Sequence, residues 1–264
     1  MMARLGVRTF SLGYLAVILL APVALVFWRA FEHGWHPFWL AISNANAVHA
    51  LQLTVEVTAI VVPLNTIFGV VCAIAIVRHR LPGMGVVNAL VDLPLALSPV
   101  VVGLALYLLY GRDGWFGHWL LGHGVQVLFA LPAMVLATTF VSLPFVVREV
   151  VPVLREIGTD QEEAAATLGA SGLTTFRRIT LPAIRWAVAY GVVLTTARSL
   201  GEFGAVAIVS GGIAGRTQTL TQYVQASYEN FDQTGAYAAS VLLAVLAITI
   251  LLLMTAVKRG DRGP

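Results

Sequence analysis

The chain has 264 residues, of which 58% are apolar and only 11% charged. A soluble domain carries roughly 25% charge, so the polar surface needed to wrap this chain in water is missing and most of its solvent must be lipid. The formal net charge of +3 is spread along the chain, which argues against a nucleic-acid-binding patch, and the lone cysteine, Cys72, excludes a disulfide framework.

A helix needs about 20 mostly apolar residues to cross a hydrocarbon core roughly 30 Å thick. Six stretches qualify: residues 13–31, 51–77, 89–110, 129–151, 184–209 and 238–257. The expected fold class is all-α, a polytopic membrane protein with six transmembrane helices in which residues 1–264 form one transmembrane domain. The first stretch follows Arg4 and Arg8 and resembles a secretory signal. It is long for that and lacks a small-x-small cleavage site, so an uncleaved span is expected. Trp28, Trp35 and Trp39 behind it suit an interfacial aromatic belt. Arg4, Arg8, Arg78, Arg80, Arg148, Arg155, Arg177, Arg178, Arg185, Lys258, Arg259 and Arg262 fall on one alternating set of flanks, against Arg29, Arg112 and Arg216 on the other. Basic residues favour the cytoplasmic side, so both termini are expected there.

Pro63, Pro94, Pro99, Pro132 and Pro144 punctuate spans two to four. Proline removes a helix hydrogen bond and kinks the axis. Ser98-Pro99 with Gly103 therefore reads either as a bend that gates a path or as ordinary helix irregularity. Glu56, Asp92, Arg148 and Glu149 lie near span ends, where reaching interfacial water is the simple explanation. The six histidines show no ligand spacing, and no metal site is expected. Lys258 is the only lysine and follows no glycine-rich turn, so a phosphate-cradling P-loop is excluded. The chain should bind no nucleotide cofactor, and ATP-driven work would fall to another chain.

The most polar long stretch is residues 152–183. Thr159 as N-cap and Glu162 three residues on predict a capping box. Asp160, Glu162 and Glu163 suit the positive end of the helix dipole. Gly169 suits a left-handed C-cap, and Ser171 can cap a second short helix reaching Arg178. Leu181-Pro182 marks entry into span five, where proline is tolerated in the first turn. The loop is thus expected to be two short helices about a glycine turn. From these features alone it is either a docking element or an amphipathic loop on the bilayer. In span five, Arg198 and Glu202 are spaced i, i+4 and share a helix face. Charges at membrane depth avoid lipid, so this pair either lines a translocation path, with Arg198 facing an oxyanion, or locks the span internally.

The order Glu163-Ala164-Ala165, three residues, Gly169, nine residues, Ile179, one residue, Leu181-Pro182 resembles the EAA loop of binding-protein-dependent ABC importer permeases. The resemblance implies the type I importer permease fold, with Glu162, Glu163, Ala164, Ala165, Gly169, Ile179, Leu181 and Pro182 in a coupling loop that docks on an ATPase subunit. VDLPLALSPVVVG at 91–103, FVVRE at 145–149 and ARSLGEFGAV at 197–206 resemble the CysW-type sulfate/thiosulfate permease subfamily over residues 45–255. Ser199-Leu200 stand where that subfamily usually has Ala-Met. The molybdate/tungstate permeases are similar in the same segments. The resemblance implies a bacterial inner-membrane complex with a CysT-type sister permease, two ATPase subunits holding ATP and Mg, and an extracytoplasmic sulfate-binding protein. Ser98, Pro99, Gly103, Arg198 and Glu202 become candidates for the path or its gate. An ion-coupled secondary transporter using Glu202 is the competing class. A membrane-embedded enzyme lacks any nucleophile–base pair or metal cluster at span depth.

Overall fold

The computed structural model describes residues 2–79 and 83–260, with side chains placed for 10–79 and 83–252. Arg80 and Arg262 lie outside the described residues, as do the side chains of Arg4, Arg8, Lys258 and Arg259. Every regular element among the described residues is helical. In chain order they are α1 (Met2–Phe31), α2 (Trp35–Ser43), α3 (Ala45–Arg78), α4 (Met84–Ala96), α5 (Pro99–Tyr110), α6 (Gly117–Gly122), α7 (Leu131–Ser142), α8 (Pro144–Ile157), α9 (Asp160–Thr167) and α10 (Gly172–Thr175). A single π turn, Phe176–Thr180, then leads into α11 (Leu181–Leu200), α12 (Gly204–Ser210), α13 (Leu220–Glu229) and α14 (Gln233–Gly260).

Five helical stretches are long and apolar enough to cross a membrane, and a sixth exists if the α4–α5 pair counts as one broken span. The third expected span is not a straight helix. It bends by 110° between α4 and α5, at Leu97-Ser98. Pro99 at N1 explains the break, because it withholds an amide and keeps Ser98 extended (ψ 136°). The fifth expected span is also corrected. Its helix runs from Gly172 through the π turn to Leu200, so the expected second short helix is the foot of this span. The span then stops, and α12 forms a separate helix after Gly201-Glu202-Phe203. Span four carries a minor break at Leu143, where Pro144 begins α8.

The centre of the bundle is α3, α8 and α11. Val146 of α8 is wedged between two glycines. A Cβ on Gly69 would meet Val146 Cβ at 2.7 Å, and one on Gly191 would meet Val146 Cα at 2.7 Å. In lipid there is no hydrophobic drive between helices, so close backbone approach at small residues supplies the packing. Val147, Val150, Val151, Leu154 and Ile184 continue this core toward the end that carries α9, called here the loop end. A second core of Leu53, Val57, Val61, Met134, Val206 and Val209 joins α3, α7 and α12 at the other end. There Ala30, Phe38, Ala238 and Val241 tie α1 and α2 to α14. Trp28, Trp35 and Trp39 are all exposed around that contact, as an interfacial belt requires.

Candidate functional site

The loop at 158–172 is built from one glycine turn to another. Gly158 has φ +65° and lets the chain leave α8 sharply. Thr159 is the N-cap of α9, but the expected capping box does not form. Thr159 Oγ1 instead donates to Glu163 Oε1 at 2.7 Å. Glu162 is turned the other way, into the bundle, because a cation is waiting there. Arg78 Nε donates to Glu162 Oε2 at 2.9 Å and its Nη2 to Oε1 at 3.2 Å. Thr180 Oγ1 adds a third bond to Oε1 at 2.8 Å.

Arg78 does more than hold Glu162. Its Nη1 donates to Leu154 O at 3.0 Å and its Nη2 to Gly158 O at 2.7 Å. These carbonyls end α8 and have no helical partner of their own, and a cation there also suits the negative end of the helix dipole. One guanidinium, five donors in a planar fork, thus ties the foot of α3, the end of α8 and the start of α9, and Thr180 adds the foot of α11. Sequence reasoning placed Arg78 only among inner-flank charges and missed Thr180 altogether. The signal was faint: a single arginine at the very end of a long span.

At the far end of α9 the expected glycine cap is present. Gly169 has φ +81°. Ala170 N donates to Ala165 O at 3.0 Å and Gly169 N to Ala166 O at 3.0 Å, the two bonds of a Schellman closure. Ser171 caps the next turn by accepting from Thr174 N at 3.3 Å. No residue of α9 is buried. Glu163, Ala164, Gly169, Leu181 and Pro182 are exposed, while Glu162, Ala165 and Ile179 are half-buried. Leu168, just past the end of α9, is 88% exposed, and Leu173 in α10 is 68% exposed. Behind α9 lies a cavity of about 430 Å³ bordered by Ile74, Arg78, Ala166 and Phe176. The loop therefore stands off the bundle, held by polar bonds, and its exposed side chains mix Asp160, Gln161 and Glu163 with Ala164, Ala166 and Leu168.

The path candidates also come together, at the two breaks. A Cβ on Gly103 would meet Ala205 O at 2.7 Å, and one on Gly204 would meet Pro99 Cβ at 3.0 Å. So the Ser98-Pro99 bend lies directly against the start of α12, and Gly103 is there to admit α12. Ser98 itself is exposed and caps nothing. Glu202 lies beyond the end of α11 rather than within a continuous span, yet it still meets Arg198. Arg198 Nη1 sits 2.6 Å from Glu202 Oε2, off the hydrogen-bonding line, so the contact is charge to charge. Glu202 Oε1 accepts from Ala205 N at 2.8 Å, and its carbonyl accepts from Thr221 Oγ1 at 2.9 Å. The Glu202 side chain is 1% exposed, against 29% for Arg198. This geometry is a structural lock that starts α12 and pins it to α13. Asp92 and Arg148, read from sequence as separate interfacial charges, are instead paired with each other.

Broken membrane helices around a polar junction, with a capped helical loop projecting from one end, define an integral membrane transport subunit. The chain belongs to the family of binding-protein-dependent transport system inner membrane components, whose model matches residues 65–260. It is 50% identical over 243 residues to the sulfate transport system permease protein CysW of Synechocystis sp., covering 92% of this chain and 88% of that one. The sulfate transport system permease protein CysT of Salmonella typhimurium is 36% identical over 259 residues, covering 96% and 94%. Among solved structures, a bacterial alginate ABC transporter in complex with an alginate-bound periplasmic protein superimposes with a TM-score of 0.82 over 98% of this chain and 95% of that one, at 17% identity. At that identity the likeness speaks to the fold.

Proposed function

We propose that this chain is the CysW-type permease subunit of an ATP-driven sulfate/thiosulfate importer. The observation that carries the reading is the 50% identity to a sulfate permease across nearly the whole chain, together with a loop helix, α9, none of whose residues is buried among the described residues. In this reading residues 1–264 act as one translocation unit, and the 152–183 loop is its coupling element. Gly169, Leu168 and the Glu163-Ala164-Ala165 face seat α9 in a groove of an ATPase subunit, while Glu162 faces inward. A CysT-type sister permease forms the other half of the path, a reading supported by the separate CysW and CysT relatives. Two ATPase subunits hold ATP and Mg, and an extracytoplasmic sulfate-binding protein docks at the end opposite the loop. The complex sits in the bacterial inner membrane, with both termini and the loop on the cytoplasmic side.

ATP binding closes the ATPase pair and draws the two coupling loops together. The tether at Arg78 and Glu162 passes that motion to α3, α8 and α11. The path then opens outward, and hydrolysis resets it. This chain does no covalent chemistry. The test is uptake of labelled sulfate into proteoliposomes holding the full complex, with thiosulfate and molybdate as competitors. ATP-dependent sulfate uptake is expected, with thiosulfate competing. Molybdate as the sole effective competitor would move the chain to the molybdate/tungstate importers. Gradient-driven uptake by the chain alone would overturn the ATP-driven reading.

A further inference from the structure

α8 has two unlike sides. Val146, Val147, Val150, Val151 and Leu154 are buried in the central core. The open side carries Arg148, Glu149, Arg155 and Glu156. Arg148 lies nine residues before the end of α8 at Ile157, about 14 Å of helix rise. Asp92 lies eight residues after the start of α4 at Met84, about 12 Å of rise. Both therefore lie about 12–14 Å along their helices from the loop end, within stretches apolar enough to cross a membrane, where a charge avoids lipid.

Their pairing is two-pronged. Arg148 Nε donates to Asp92 Oδ1 at 2.6 Å, and its Nη2 meets Oδ2. The guanidinium thus turns sideways to α4 and does not reach down to interfacial water. The pair is not sealed, since the two side chains keep 43% and 37% of their exposure. Asp92 is the only charge on α4, whose other exposed side chains (Val86, Leu90, Leu93 and Leu95) are apolar. α4 ends at the 110° bend, while α8 runs directly through Gly158 into α9. One ion pair therefore joins the α4 half of the broken span to the arm that carries the loop.

We propose that the charged side of α8 is a water-facing wall of an inner vestibule, and that Asp92–Arg148 is a latch on that wall clamping α4 to the loop-bearing arm. When the loop moves, α8 carries Arg148 with it, and Asp92 brings α4 and the bend along. An exiting oxyanion passes the wall beside Arg148, whose charge Asp92 offsets so that the anion is not trapped. The use of the latch in transport rests on the importer reading above. Its geometry does not.

The experiment uses the full complex in inside-out vesicles, with Cys72→Ser removing the native thiol. Single cysteines at Glu149→Cys and Arg155→Cys, with Val71→Cys as a bilayer-facing control on α3, are treated with a charged, membrane-impermeant maleimide. Maleimide attack requires thiolate, which forms in water. Glu149→Cys and Arg155→Cys should react at least about tenfold faster than Val71→Cys. Equal rates would overturn the water-facing wall. In the second arm, Asp92→Arg and Arg148→Asp alone should each cut sulfate uptake or the yield of assembled complex at least tenfold. The charge-swapped double variant should recover a third or more of what was lost. Full function of either single variant, or no recovery in the swap, would overturn the latch. If the unaltered complex moves no sulfate, the substrate reading fails, while labelling and assembly yield still decide the wall and the latch.

Discussion

Replacing Glu162 by Gln tests whether α9 is positioned by its tether. Gln keeps the shape and one acceptor oxygen but discards the charge. Two guanidinium bonds, at 2.9 and 3.2 Å, and one hydroxyl bond, at 2.8 Å, converge on the native carboxylate. Bonds to charged groups contribute about 1.5–3 kcal/mol each when buried. Here Arg78 and Glu162 keep 12% and 21% of their side-chain exposure, and surface pairs fall to about 0–1 kcal/mol. An intermediate loss of about 2 kcal/mol is expected, which is roughly a 30-fold change in a local opening equilibrium. No residue of α9 is buried, so little else resists that opening. Hydrogen exchange on the membrane subunits without the ATPase pair, where α9 is undocked, should show the amides of Asp160–Thr167 exchanging about 30-fold faster, with α8 and α11 changed far less. ATP hydrolysis should persist while uptake per ATP falls. Unchanged exchange in α9 would refute the tether, because the bonds that join α9 to the bundle among the described residues would then have been weakened without effect.

Gly169→Val should cost about 1–2 kcal/mol through its left-handed backbone alone, since nothing lies within 4 Å of the added Cβ. Insertion and yield should hold, and uncoupled ATPase activity is the readout that identifies the exposed tip as a docking face. Gly191→Leu should block folding outright, because even a Cβ there stands 2.7 Å from the backbone of Val146, and size-exclusion recovery of the complex would show the loss. Glu202→Ala should destabilise the chain by about 2–3 kcal/mol, because it removes the charged acceptor of the Ala205 N–H and leaves Arg198, whose side chain is 29% exposed, without its counter-charge. Arg198→Leu combined with Glu202→Gln should recover much of that thermal stability. If the double variant is stable yet moves no sulfate, Arg198 touches the anion as well as locking the break.

The spans were legible because twenty-residue apolar runs are coarse signals that survive local irregularity. The Gly169 cap was legible for a sharper reason: a left-handed residue after a run of helix formers has few other solutions. The bend at Ser98-Pro99 could be placed from proline chemistry, but its size could not, since the angle depends on α12 lying against Pro99 and Gly103. The capping box failed because local and distant partners competed for one carboxylate. Glu162 satisfies Arg78, 84 residues away in the chain, and a local rule cannot see that far. Asp92 and Arg148 were read as two separate interfacial charges for the same reason, being 56 residues apart. The end of span five at Leu200 was hidden because apolar residues dominate 184–209 on both sides of the break, and Glu202 accepting from Ala205 N marks the new start.

A helix attached by side-chain bonds over a cavity, without a buried residue of its own, behaves as a hinge pin rather than a girder. Its outer face can be rewritten without repacking the bundle, because no core side chain comes from it. Substitutions at Ala164, Leu168 or Leu173 change that face alone, while Arg78, Glu162 and Thr180 carry the bonds that hold the helix in place. The fold thus separates the bonds that hold this helix from the face it presents.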